Sequence, residues 1–207
     1  ATVKYDPYGN QLWVQRYNRV GADDWPSGLV VDDFGNIYVT GEAGYSSFYL
    51  TDYVTIKYYP NGDTAWLRNY NGPANENDDP WGIAVDDSGN VYVTGCSGGD
   101  IATIKYHPDG DTAWVRRYSG PAGLFNWAFA IAVDAFGNVY VTGASCDIDT
   151  VMDYATIKYF PNGDTAWVRR YNGPEDSTDI AWAIAVDDYG NVYVTGLTCQ
   201  AGWIYDF

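Results

Sequence analysis

Residues 186–196 read V-D-D-Y-G-N-V-Y-V-T-G, and nearly the same words stand earlier: VDDFGNIYVTG from Val31, VDDSGNVYVTG from Val85 and VDAFGNVYVTG from Val133. Four near-copies in a chain of 207 residues make the internal period the first thing to explain. Each copy sets β-branched and aromatic residues on both sides of a D-x-G-N turn. That is the pattern of two short strands joined by a tight hairpin, with Gly and Asn expected at positive φ.

A second unit alternates with the first: VTIKYYPNGDTAWLRNY from Val54, ATIKYHPDGDTAWVRRY from Ala102 and ATIKYFPNGDTAWVRRY from Ala155, with a diverged copy, ATVKYDPYGNQLWVQRY, at Ala1. The tryptophans Trp13, Trp66, Trp114 and Trp167 mark the period at spacings of 53, 48 and 53, and wrapping from Trp167 through Phe207 to Trp13 gives another 53. Each unit therefore reads as four strands: A (Ile184–Val186), B (Val192–Thr195), C (Ala155–Tyr159) and D (Thr165–Tyr171). Strand C alternates Ala, Ile and Tyr on one face with Thr and Lys on the other. No window carries the 3.6-residue period of a helix.

Four strands in about 50 residues match a propeller blade. A solenoid repeat is usually shorter, and a sandwich has no reason to repeat its sequence. The expected fold is all-β, a β-propeller of four-stranded antiparallel blades with four blades per chain. It forms one domain, 1–207, with repeats in C–D–A–B order at 1–52, 53–101, 102–153 and 154–207. Because the chain opens on strand C and stops before another, the last blade is expected to close by pairing of the N- and C-terminal segments. Left open, each end would expose on the order of 500 Å² of blade face, ~12 kcal/mol at ~25 cal/mol per Å². The favoured closure is a four-bladed monomer; the alternative is a homodimer that shares an eight-bladed ring.

The unit D-Y-A-T-I-K-Y-x-P-N-G-D-T-A-W-V-R-R-Y-N-G-P, followed by A-I-A-V-D-D-x-G-N-V-Y-V-T-G, resembles the bacterial SBBP β-propeller repeat, and its GIAVDxxGNVYV segment is similar to NHL-type blades. The resemblance covers essentially the whole chain. It implies an extracellular or cell-surface propeller and brings no catalytic motif with it.

Composition narrows the partners. With 27 acids against 11 bases the formal charge is −16, which repels phosphate backbones and anionic membranes, so nucleic acid is excluded as a partner. No apolar run is long enough for a membrane-spanning helix, so membrane insertion is not expected. The first residues lack the charged and apolar regions of a signal peptide, and no initiator Met is present; a processed form or a piece of a longer protein is expected. Cys96, Cys146 and Cys199 lie in no CxxC or metal spacing and read as free thiols in loops.

In a blade the A–B and C–D turns share one face and the B–C and D–A loops the other. The tight turns repeat almost unchanged, whereas EAGYSSFYLTDY stands against CSGGDI, and NGPANENDDP against SGPAGLFN. A face that varies on a constant scaffold is where binding usually lives. That face collects Trp25, Trp81, Trp127 and Trp182 where strand A begins, with Trp203 in the last B–C segment. Trp81 and Trp182 lie five residues before the V-D aspartate and Trp25 and Trp127 seven before, so shared parity predicts one common side of the strand. Beside them stand Asp23, Asp24, Asp78, Asp79, Asp176 and Asp179. The lysines of strand C and arginines of strand D are expected to cover blade edges with their heads wet or locally paired.

Calcium is the ion such acids would take, from NENDD (75–79), EDSTD (175–179) or Asp147, Asp149 and Asp153, though none matches a DxDxDG loop. No other cofactor is expected. His107 occupies a turn position, and glycines never form a nucleotide-binding pattern. The leading expectation is a non-enzymatic structural or binding module whose acidic-aromatic face meets a carbohydrate or a protein. The alternatives are a carboxylate- or cation-dependent lyase or hydrolase at the central channel, and the two-chain ring as an assembly unit.

Overall fold

The computed structural model of the chain describes residues 1–19, 23–44, 50–148, 151–200 and 204–206. Three complete antiparallel sheets follow one another: β3 (Asp24–Val31), β4 (Ile37–Gly44), β5 (Thr51–Tyr58) and β6 (Thr64–Tyr70); β7 (Asp78–Val85), β8 (Val91–Ser97), β9 (Asp100–Tyr106) and β10 (Thr112–Tyr118); β11 (Asn126–Val133), β12 (Val139–Cys146), β13 (Met152–Tyr159) and β14 (Thr165–Tyr171). In each, the strands lie side by side in chain order, the A–B–C–D order of a blade. No helix occurs among the described residues.

Two partial sheets flank these blades. At the head, β1 (Thr2–Tyr5) and β2 (Gln11–Gln15) form a two-stranded C–D hairpin of their own. At the tail, β15 (Asp179–Val186) and β16 (Val192–Gln200) form an A–B hairpin, and β17 (Ile204–Asp206) adds the first rungs of a strand C. The expected stitching of β1 to β16 is therefore not formed, and the sheets do not close into a ring within the chain. The head hairpin packs on the first complete blade as a preceding blade would, Trp13 and Tyr17 covering Val54, Ile56 and Tyr58 and Lys4 and Trp13 donating to the Pro60 carbonyl, while β16 takes β17 as its partner.

Successive blades bury a repeated core. Tyr38, Tyr53 and Trp66 of the first pack on Val91, Val93 and Ile104 of the second, and Tyr92 and Trp114 of the second on Val139, Val141 and Ile157 of the third. A cross-strand row organises each face: Tyr38, Lys57 and Trp66 lie opposite one another on three strands, as do Tyr92, Lys105 and Trp114. The lysines differ from expectation. Lys57 and Lys105 are buried, their ammonium groups lie over the Tyr38 and Tyr92 rings, and they donate to the Pro108 and Pro161 carbonyls of the next blade's C–D turn. Trp66 and Trp114 donate to the same two carbonyls, at 3.0 and 3.1 Å. A carbonyl has two lone pairs, so one turn oxygen serves both donors.

The tight turns are built as D-x-G-N predicts, with one difference. Gly35, Gly89, Gly137 and Gly190 take φ of 78–80°. The asparagine that follows stays at ordinary φ, held by the Asp side chain: Asp134 Oδ1 accepts from the Asn138 backbone N–H and Oδ2 from its amide. The cysteines also depart from expectation. They lie on β8, β12 and β16 rather than in loops, and all three are buried. Burial pushes the Cys96 thiol up to about 11.

Candidate functional site

Strands β3, β7, β11 and β15 are the inner strands, each neighbouring the next. All four carry a β-bulge at one place: pairing to strand B skips Ser27, Trp81, Phe129 and Trp182. The extra residue bends strand A toward its partner, and the opposing residue is always the glycine of V-T-G. A Cβ on Gly143 would lie 1.8 Å from the Trp127 carbonyl oxygen; at Gly41, Gly95 and Gly196 the corresponding distances are 2.0–2.3 Å. The repeated glycine is thus the space the bulge requires.

The bulge also re-aims side chains. Trp25, Asp79, Trp127 and Ile180 precede it by two residues and pair opposite Glu42, Cys96, Ala144 and Leu197. Trp81 and Trp182 sit at the bulge itself. The four tryptophans thus stand at two positions of strand A, Trp25 and Trp127 before the bulge and Trp81 and Trp182 at it. They fall into two rows.

One row is continuous across three blades. Trp81 meets Phe129 edge-on at 5.7 Å between ring centroids, and Phe129 meets Trp182 at 4.4 Å. The tryptophans at its two ends remain 49% and 47% exposed. Tryptophan content does not mark Phe129; its offset of five residues before Asp134, shared with Trp81 and Trp182, is the sequence signal that locates it. In the second row Trp25 is 63% exposed, and Trp127 stacks on exposed Phe125 at 6.0 Å.

Beside Trp25, at the position before the bulge, lies a carboxyl pair. Glu42 on β4 hydrogen-bonds Asp79 on β7, and burial followed by that contact raises Glu42 to about 7. The Thr51 hydroxyl donates to Asp79 Oδ1 at 2.8 Å. One shared proton lets the two acids lie side by side.

The other predicted acids are engaged in the scaffold. Asp24 Oδ2 accepts the Arg19 backbone N–H at 2.7 Å, Asp78 Oδ2 that of Gly72 at 2.6 Å, and Asp179 that of Gly173. Each folds its D–A loop onto the start of strand A, a place Asn126 takes in the third blade. Asp176, at φ 49°, accepts from the Asn172 amide, and exposed Asp23 receives the Gly44 N–H on its backbone carbonyl. Among the calcium candidates, Asp153 pairs with Arg170 at 2.8 Å, Asp147 accepts the Val151 N–H, and Asp149 lies outside the described residues, as does Trp203. Among the described residues no group of three or more His, Cys, Asp or Glu is placed to hold a metal ion.

The SBBP beta-propeller repeat matches the chain at residues 12–48, 72–102 and 166–198, together just under half its length. No curated protein matches it. Among solved structures it is similar to a protein of unknown function from Bacteroides caccae (12% identity, TM-score 0.57, covering 93% of this chain and 62% of that one). A gluconolactonase from Xanthomonas campestris is similar too (20% identity, TM-score 0.52, covering 94% and 61%). At these identities the likeness is one of fold, and the chain spans about three fifths of the length of either structure.

Proposed function

We propose, for a chain that carries the SBBP beta-propeller repeat at three places, a non-enzymatic binding module of the secreted or cell-surface kind whose inner-strand aromatics take the flat face of a carbohydrate. The observation that supports this is the row Trp81–Phe129–Trp182, an exposed aromatic surface built by three successive bulges. The C–H face of a pyranose packs on such rings, and carboxyls such as Asp79 and Glu42 accept hydrogen bonds from sugar hydroxyls. The charge of −16 selects against acidic sugars and in favour of neutral ones. A panel of neutral oligosaccharides screened by titration calorimetry tests the reading. Binding that weakens about tenfold (~1.4 kcal/mol) in Trp81→Ala and Trp182→Ala supports it. No heat with any sugar, or binding indifferent to both substitutions, defeats it.

One observation favours a second reading as an enzyme. Glu42, carrying its proton near neutral pH beside Asp79, has the protonation state of a general acid. On that reading the chain cleaves a glycosidic or ester bond, and Glu42→Gln abolishes turnover of a chromogenic substrate while leaving binding intact.

A further inference from the structure

The two ends of the chain carry complementary halves of one blade. In the three complete blades the tyrosine of V-Y-V-T-G is fully buried: Tyr38, Tyr92 and Tyr140 are each 0% exposed. Its fourth copy, Tyr193, is 58% exposed. In those blades it belongs to a row running on through a lysine and a tryptophan. The row Tyr140, Lys158, Trp167 is one example. At the tail the row stops at Tyr193; its missing members, Lys4 opposite Trp13, stand together at the head.

Register agrees. Thr198 opposite Asp206 in β16–β17 repeats Ser145 opposite Asp153 in β12–β13. Carried along β16, the same register sets Val3 opposite Val194, as Ile157 stands opposite Val141.

The faces match as well. Ile83 and Val85 pack into the core between the first two blades, whereas their counterparts Leu29 and Val31 in the first blade are 56% and 52% exposed. The first blade's outer half is covered by the head hairpin and its inner half is bare. A cavity of about 320 Å³, lined by Val3, Gly28, Leu29 and Val39 among others, lies between the hairpin and β3, where an A–B hairpin would enter.

Polar groups repeat the match. Lys105, Trp114 and Arg116 donate to the Pro161 and Gly163 carbonyls of the following turn. Their counterparts Lys158, Trp167 and Arg169 meet no C–D turn of a following blade among the described residues, while the head turn Asp6–Asn10 offers the matching carbonyls of Pro7 and Gly9.

We propose that the β15–β16 hairpin of one copy of this chain enters between the β1–β2 hairpin and the first blade of a second copy. Two such joints close a two-chain ring of eight blades. The interface is continuous with the contact already made between every pair of neighbouring blades, so it needs no new packing solution; it is head-to-tail, and it closes rather than extends when the curvature fits.

Light scattering on the 207-residue chain is expected to give twice its 22.9 kDa mass. Leu29→Asp, at a position exposed in the single chain, is expected to weaken that dimer at least tenfold with the circular dichroism unchanged. Val3→Cys together with Val194→Cys is expected to yield, on oxidation, a covalent dimer on a non-reducing gel. A mass of one chain at all concentrations, a dimer indifferent to Leu29→Asp, or a bond formed within one chain overturns the proposal.

Discussion

The indole N–H of Trp114 donates to the carbonyl of Pro161, 3.1 Å away across the boundary between two blades. The bond converts a tight turn, needed for one hairpin, into the acceptor that fixes the next hairpin's distance. Trp114→Phe keeps the ring and loses the donor. Urea denaturation is expected to show a loss of ~1 kcal/mol, because the Lys105 ammonium still satisfies the oxygen.

The glycine opposite the bulge makes a sharper prediction. Gly143→Ala sets a methyl against the Trp127 carbonyl, and backbone cannot step aside as a flexible side chain does. A destabilisation of ~2–3 kcal/mol is expected. Gly123→Ala, in open space at φ 61°, is expected to cost ~1 kcal/mol from backbone strain alone. Equal midpoints for the two variants would show that the bulge tolerates a side chain.

Asp52 obtains its cation in an unusual way. In the second and third blades Arg117 and Arg170 on strand D pair with Asp100 and Asp153 of the same sheet, at 2.9 and 2.8 Å. The first blade has Asn69 at the corresponding position, and Arg19 from the preceding loop pairs with Asp52 at 3.0 Å instead. Arg19→Ala leaves a buried carboxylate without its cation and is expected to cost ~2–3 kcal/mol. Adding Asn69→Arg is expected to recover at least half, which a denaturation midpoint measures.

Glu42 makes stability depend on pH in a stated direction. Its folded value, about 7, lies above its ordinary 4.5, so the folded chain binds more protons between the two. The contribution is complete below pH ~4.5 and is lost as pH rises through about 7. Because Glu42 is partly exposed, screening reduces the effect to ~1 kcal/mol. Glu42→Gln is expected to flatten this slope and to raise the melting temperature at pH 8; an unchanged slope would place the proton elsewhere.

Much of the architecture was legible because it rests on local rules repeated along the chain. Strand D, read as Thr165–Tyr171, has those same bounds in the structure, since a P-N-G-D turn and a run of branched and aromatic residues mark both its ends. Strands A, B and C run longer than their predicted cores, to Asp179, Gln200 and Met152, because pairing continues across the bulge and into the segments beyond the repeated motif. The site was legible in composition and not in geometry. Tryptophan content marks Trp81 and Trp182 but not Phe129, and the division of the four tryptophans between two positions is invisible in the sequence because a bulge leaves no mark in residue type. The candidate acids divided likewise: Asp79 faces Glu42, while Asp24, Asp78 and Asp179 hold loops.

By itself the sequence determined the repeated hairpins, the antiparallel strands and the turns between them, because each is set by contacts among residues near in the chain. Only the tertiary structure decided where the lysine ammonium groups go, which aromatics meet, and that β16 takes β17 and not β1 as its partner. Those outcomes depend on which blade lies beside which, a relation between distant segments that one repeat, identical in pattern to the others, does not encode.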